Sequence, residues 1–471
     1  FFVCCGLNSI GIGSGGGVGK VTAEWLMTGH INEDIFNYDI KRFQKFHSDL
    51  GFIKKRITES LGDLYGMHWP FKQHKTSRNI KTLPHHDNLK SFGACFGVSA
   101  GYERPMWFAL DGEKAQYEYS YNYQNWYPSV EYETNNTIKN VGLFDLTPFS
   151  KFEIKSEKAH QELQRICTAN IKNEVGKCVY THMLNPDGGI EADLTVVCVD
   201  NNHFRIISSA ATRERDKFHI NKYLPKDIAL KDVTDNYCVF GLFGPKSRDL
   251  LKAISRNNFD NENFRFGTAK YIEINGTNVW AQRLSYVGEL GFELYVKFDD
   301  AKNIYELLIE KGKNFNLSNC GMHAMDVMRM ESGFLHWGHD ISPEENQYQA
   351  GLAFTISKKK DVDFIGKKAL EKIRREKIKN RFAMFTLKES EPGKPLLLHD
   401  EPIYIDDKIV GRSTSGNYSF NYKKNLIFGY ILNDFTNDEL QSKNLFIEVE
   451  KQKYSISIQS DPLKQTDFKN L

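Results

Sequence analysis

Four stretches of this chain have residue types and spacings that could do chemistry. The first is NPDGGIEADLTVV, residues 185–197. NPDGG reads as a tight hairpin turn. The strand after it alternates, with Ile190, Ala192, Leu194 and Val196 on one face and Glu191, Asp193 and Thr195 on the other. Asp193 therefore points away from the apolar set. A carboxylate there can accept the N–H groups of a heterocycle or hold a proton beside a reacting amine. The second is RLSYVGELGFELYV, residues 283–296, in which Tyr286 and Glu293 flank a VGELG turn. A hairpin would bring them to neighbouring positions near one rim. A stacking ring and a carboxylate that accepts paired donors suit the edge of a pterin or a purine. Taken singly, these two stretches are also what a solvent-facing strand Asp and a plain hairpin with a surface Glu look like.

The third is the opening run, FFVCCGLNSIGIGSGGGVGKVTAEWLMTG, residues 1–29. It reads as a strand, a glycine turn and a helix. Gly6 and Gly11 let the backbone pass close to a bound ring, because no Cβ intervenes. Gly15, Gly16 and Gly17 then open a helix whose free N–H groups favour an anionic group, such as the N1/O2 edge of a reduced flavin. A glycine-rich packing turn has the same pattern. The fourth is GMHAMDVMRMESGFLHWGHDI, residues 321–341. Its methionines read as core, and Asp326 and Arg329, three apart, as a structural ion pair. Phe354, in AGLAFTI, is an aromatic that either lies over a ligand or fills the core.

The elements that must position these residues divide the chain by texture. Residues 1–29 hold the glycine turn and a helix with Val18, Val21, Trp25 and Leu26 on one face and Gly29 as C-cap. Residues 42–70 begin helical, and GYERPMWFAL (101–110) reads as an extended link carrying rings. From about residue 117 strand-like runs alternate with helices such as 158–167 and 301–313, an α+β pattern with mostly antiparallel sheets. About 380 to 465, short strands and turns predict a small β-barrel. The Lys-rich run 367–381 before it reads as a solvated helix and linker.

Bulk properties exclude several classes. The 471 residues suggest about three domains. With 62 basic and 60 acidic residues the net charge is +2, and no long basic block points to nucleic acid. No apolar run approaches the ~18–20 residues that span a bilayer. The eight cysteines form no CxxC pair and read as reduced thiols of an intracellular protein. The fourteen histidines show no metal-binding spacing, so no metal site is expected.

Taken together and in order, the segments resemble one family. The chain is similar to the C-terminal part of the flavin-dependent dimethylglycine and sarcosine dehydrogenases, which join an amine-oxidising flavin domain to a folate-binding domain like the glycine-cleavage aminomethyltransferase. GLNSIGIGSGGGVGK resembles the last flavin-contacting segment. YDIKRF, HWP, GYERPMWF and LFDLTPFSKFEI resemble the connecting region and the start of the folate domain. MLNPDGGIEADLTV, LSYVGELGFELY, MRMESGF and DFIGKKAL resemble its successive landmarks. The resemblance implies an α+β architecture: residues 1–45 as the remnant of an FAD-binding domain, 46–115 as a connecting domain, 116–375 as the aminomethyltransferase-like folate-binding domain, and 380–465 as the barrel. It implies FAD and tetrahydrofolate as cofactors, with N-demethylation of dimethylglycine or sarcosine and capture of the carbon as 5,10-methylenetetrahydrofolate. Asp193 corresponds to the acidic residue beside the reactive nitrogens of folate, Tyr286 to the ring packed on it, Glu293 to the carboxylate on the pterin edge, and Phe354 to an aromatic near the same ligand. Gly6, Leu7, Asn8, Ser9, Ile10, Gly11 and Ile12 correspond to flavin-contacting backbone.

No early strand, GxGxxG turn and helix for a dinucleotide fold is present. The resemblance thus implies a fragment of a longer protein that binds folate and holds FAD weakly or not at all. It further implies electron-transfer flavoprotein or oxygen as electron acceptor, and the cytoplasm of a bacterium or the mitochondrial matrix of a eukaryote. Met325 stands where the aminomethyltransferases carry Arg, which argues against the free-standing transferase. Gln349 replaces a usual Glu, and Arg205 a usual apolar residue. The related pyruvate dehydrogenase phosphatase regulator is the non-catalytic alternative; the intact Asp193, Tyr286 and Glu293 favour an enzyme.

Overall fold

The computed structural model describes residues 2–360, 362–465 and 467–471. Its centre is a stack of four layers, built by two sheets that are each apolar on both faces. The six-stranded sheet has the order Thr268–Ile274, Thr277–Arg283, Gly291–Lys297, Tyr237–Phe243, Val141–Asp145, Leu317–Cys320. Its pairs are antiparallel except the last, which is parallel. Leu242, Val279, Phe292, Leu294 and Val296 form one face, under the helices Ser247–Ile254 and Ala301–Gly312. The five-stranded sheet has the order Cys178–Leu184, Ile190–Asp200, His203–Ser208, Ser150–Lys155, Leu230–Asp232, antiparallel throughout. Ala192, Leu194, Val196 and Ile206 pack there against Leu163, Ile166 and Ile220 of the helices Ala159–Ile166 and Arg213–Tyr223.

The remaining faces of the two sheets meet each other. Val197 and Val199 of one join Val239, Trp280 and Tyr295 of the other in a shared core with Met325, Val327 and Met328 of the helix Met322–Glu331. Strand alternation therefore sends Asp193 and Glu293 into the same interlayer space.

The predicted barrel is closed by six strands: Asn380–Leu387, Lys424–Leu432, Lys408–Ser419, Pro402–Ile405, Leu445–Val449 and Gln452–Gln459. The helix Met322–Glu331 docks it. Arg329, buried, donates to Asp326 (2.8 Å), Asp340 (2.6 Å), the carbonyl of Phe334 (3.1 Å) and the Ser415 hydroxyl (2.8 Å). Glu331 accepts from Ser419 and Asn421. The Lys-rich helix Lys367–Arg375 buries Leu370 alone.

Four expectations are corrected before residue 110. GYERPMWFAL is no link: Tyr102–Phe108 is a strand paired with Ala94–Ser99, and Trp107 is fully buried. The buried carboxylate of Glu133 fixes this hairpin, accepting from the N–H of Phe108 (2.7 Å) and of Gly321 (2.8 Å). The opening apolar run forms no strand over residues 3–7, because a strand needs a hydrogen-bonded neighbour and the described residues supply none. The helix starts at Gly11 rather than Gly15 and runs to Thr28, with Gly29 as a left-handed cap at φ 76°. It buries no residue, and Leu26 faces solvent rather than a packed side.

The turn ahead of Asp193 is tightly fitted. The Asn185 side chain accepts from the N–H of Asp187 (3.0 Å) and of Gly189 (2.9 Å). A Cβ at Gly189 would lie 2.0 Å from the carbonyl oxygen of Pro343. Gly189→Ala is expected to destabilise the protein by about 1–3 kcal/mol, read as a lower urea midpoint; an unchanged midpoint contradicts this fit.

Candidate functional site

The interlayer hollow is built from strand residues two apart. Cys178, Tyr180 and His182 share the inner face of their strand, and His182 lies directly across from Asp193 in the ladder. The Tyr180 hydroxyl donates to Asp193 Oδ2 at 3.1 Å and lies 3.2 Å from His182 Nε2. His182 Nδ1 is 3.0 Å from Thr355 Oγ1. On the facing sheet Glu293 pairs with Gln282, and the Tyr295 hydroxyl donates to Glu293 at 2.9 Å. The amide of Gln282 is buried with no hydrogen-bond partner. Tyr286, in the loop between these two strands, donates to the carbonyl of Leu335 (2.8 Å) and stacks on Phe334, ring centres 5.9 Å apart.

Electrostatics ties these groups together. Burial pushes the Asp193 carboxyl up to about 7, with Asp216 adding to it and the Tyr180 hydrogen bond opposing. Burial likewise pushes Glu293 up to about 7, against the Tyr295 hydrogen bond. The Asp193 charge is felt at both Tyr180 and Tyr286, and the Glu293 charge at Cys178. Burial holds the Tyr286 hydroxyl well above the usual phenol range. Asp193 and Tyr286 are thus near Tyr180, and Glu293 is near Cys178. Cys178 and Tyr180 span the interval, about 7 Å apart along their strand. Two carboxyls poised near neutrality, with phenols around them, can bind a ligand rich in N–H donors and exchange protons with it.

The candidate residues are brought together unevenly. Asp193 lies close enough to Tyr286 for its charge to be felt there, and Glu293 projects from the facing sheet into the same interlayer space. Tyr286 and Glu293 are not ladder partners, because Tyr286 sits in a loop of seven residues, 284–290, rather than on the paired strands. Phe354 is 77 % exposed and stands outside the hollow, next to Thr355, which reaches His182. Arg205 is taken up by Glu153 (2.7 Å), and its guanidinium lies 4.6 Å from the Tyr237 ring centre. Gly6 takes φ 81°, and Ser9 accepts from the Tyr65 hydroxyl at 2.9 Å. Ile10 and Ile12 are exposed. A Cβ at Gly13, Gly15, Gly16 or Gly17 would meet nothing within 4 Å, so no contact inside this chain requires glycine there. Downstream, His30 and Asn32 fasten the segment to Asp187 (2.7 and 2.8 Å), in the turn that leads into the strand of Asp193.

Tyr180, His182, Tyr295 and Thr355 did not stand out in the sequence. The signal was there for three of them: Tyr180 and His182 alternate with Val179 and Thr181, and Tyr295 follows Glu293 by two. Glu59, Asp63 and His74 have donor atoms within 4.8 Å of one another. Glu59 already accepts from the N–H of Lys75 and Thr76, and Asp63 is paired with Lys72.

Two packed sheets with inward carboxyls, followed by a closed barrel, define an aminomethyltransferase-type α+β protein. A solved aminomethyltransferase T of the glycine cleavage system from Bartonella henselae has the same fold, with a TM-score of 0.70 at 20% identity over 82% of this chain and 99% of that one. The GCVT N-terminal domain matches residues 85–360, the glycine cleavage T-protein C-terminal barrel domain residues 380–464, and the FAD dependent oxidoreductase central domain residues 28–82. The chain belongs to the glycine cleavage T-protein family, in the form that carries an FAD-dependent oxidoreductase central domain ahead of it. It is 38% identical over 88% of its length to a 4-methylaminobutanoate oxidase (formaldehyde-forming) of Paenarthrobacter nicotinovorans, and 30% identical over 98% to the mitochondrial dimethylglycine dehydrogenase of Rattus norvegicus. It spans 50% and 53% of these two relatives. Among the described residues no helix is long and apolar enough to cross a membrane.

Proposed function

We propose that this chain is the folate-binding part of a flavoenzyme that demethylates an N-methyl amino acid, dimethylglycine or sarcosine being the first candidates. Its hollow would hold tetrahydrofolate as acceptor of the one-carbon unit, giving 5,10-methylenetetrahydrofolate. The observation that carries this reading is the pair of carboxyls, Asp193 and Glu293, on the inner faces of two different sheets, each held near a pKa of 7. The donor set suits a reduced pteridine. Glu293, braced by Tyr295, would accept the paired N–H groups of the pyrimidine edge. Asp193 at the other end would orient the acceptor amine and take up its proton. Tyr286, anchored on Leu335, would pack on the ligand between them. Holding acceptor and one-carbon donor in register can lower a barrier by about 7–11 kcal/mol in favourable cases.

Residues 6–12, with open space over the neighbouring glycines, would contact FAD. The flavin, when bound, supplies the oxidation of the amine. The link from His30 and Asn32 to Asp187 would hold that segment against the turn before Asp193.

The test is calorimetric titration of this chain with tetrahydrofolate. Saturable binding is expected, and Asp193→Ala should weaken it about tenfold or more. An unchanged affinity in Asp193→Ala and in Glu293→Ala overturns the site assignment. Saturable flavin bleaching by dimethylglycine or sarcosine, in a protein that includes an oxidoreductase domain of the relatives' length, tests the amine.

A further inference from the structure

We propose that His182 is a positioning residue for Asp193. It acts through the Tyr180 hydroxyl, and the chain Thr355–His182–Tyr180 sets the pH at which Asp193 holds its proton. The inference rests on the proposed role of Asp193, and its test needs no folate, so the two can fail separately.

The direction of each hydrogen bond follows from its neighbour. Thr355 Oγ1 donates to the carbonyl of Leu352 at 2.7 Å. Its oxygen is left to accept, so the His182 Nδ1 at 3.0 Å carries the proton. That leaves Nε2 bare. His182 is fully buried, and burial lowers its pKa to about 3, so the ring stays neutral over the working range. The Tyr180 hydroxyl therefore lies between two acceptors, Asp193 Oδ2 at 3.1 Å and His182 Nε2 at 3.2 Å, with one proton to give.

This geometry makes the hydroxyl a two-position rotor. When Asp193 is ionised, Tyr180 donates to it. When Asp193 is protonated, its own O–H donates to the Tyr180 oxygen, and the Tyr180 proton turns to His182. The bare Nε2 satisfies the hydroxyl in the second arrangement only. Without it, a protonated Asp193 leaves the O–H of Tyr180, a residue 39% exposed, to solvent alone, a poorer partner here than the fixed imidazole, and the balance moves toward ionisation. The other groups that face Asp193 are Tyr286 from the 284–290 loop and Asp216 from the helix Arg213–Tyr223, with the neighbouring pair Arg215–Glu191. A substitution at 182 alters none of them.

The experiment is a pH titration of the ligand-free chain labelled with 13Cγ-aspartate, with the Asp193 signal assigned by its loss in Asp193→Asn. The parent should titrate near 7. His182→Leu should lower the midpoint by roughly one unit, and Tyr180→Phe, which removes the donor to the carboxylate, should raise it. Thr355→Val should act like His182→Leu, because the ring loses the acceptor that holds its proton on Nδ1. His182→Gln, whose side-chain oxygen can accept from the hydroxyl, should titrate like the parent. A midpoint left unmoved by His182→Leu, or raised by it, overturns the proposal. If His182→Leu does not fold, Thr355→Val decides in the same way.

Discussion

The Glu293→Gln protein is expected to bind tetrahydrofolate about 10–100-fold more weakly than its parent at pH 8, and yet to be the more stable of the two at that pH. The first effect follows from donor and acceptor count. A carboxylate accepts two N–H groups at once, whereas an amide presents one acceptor and one donor. The second follows from burial. The folded protein holds the Glu293 proton up to about 7, whereas the unfolded chain releases it near 4.5. Between those values the folded form binds more protons, so this group's contribution is intact below about 4.5 and is lost as pH rises through about 7. At pH 8 the parent carries a buried charge with one phenol partner, Tyr295. Removing that charge should return on the order of 1–3 kcal/mol. Calorimetry gives the first quantity and urea unfolding at pH 5 and pH 8 the second. The stability gain should be present at pH 8 and nearly gone at pH 5. A destabilised variant at pH 8, or one that binds normally, contradicts the placement of Glu293.

Arg329→Met should be among the most damaging single substitutions in the chain, at about 3–5 kcal/mol. Arg329 is buried, and its partner Asp340 has a fully buried side chain. Asp340 also accepts from Thr414 (2.6 Å) and Ser415 (2.8 Å) of the barrel. Methionine fills the space of the arginine but leaves Asp340 charged and without its counter-ion. Adding Asp340→Asn should recover part of the loss, because the stranded charge is then gone. Urea denaturation of the single and double variants measures both. A double variant no more stable than Arg329→Met would show that the hydrogen bonds, rather than the charge, account for the effect.

Much of the site was legible from alternation. Ile190 to Thr195 assign Asp193 to a strand face, and the barrel and the helices near 159 and 301 follow from local patterning. Periodicity tells which face a residue takes, not which layer it meets. The meeting of two sheets that brings Asp193 and Glu293 into one interlayer space is a long-range fact. So is the pairing of His182 with Thr355, 173 positions later. Tyr286 differs for a related reason: the sequence predicts a hairpin closed by the turn VGELG with Tyr286 beside Glu293, and the hairpin instead closes through the wider loop 284–290, which takes Tyr286 off the paired strands. The opening apolar run forms no strand over its described residues, because apolar β-formers become a strand only when a neighbour supplies hydrogen bonds.

Asp193 hangs from one sheet and Glu293 from the other. Any small molecule that grips both is a cross-brace between two otherwise separately laced plates. Occupancy would then raise the work needed to part them, by an amount set by concentration over dissociation constant. If that molecule is the proposed tetrahydrofolate, resistance of this chain to added protease should rise with its concentration, the empty form opening more often and being cut sooner than the occupied one.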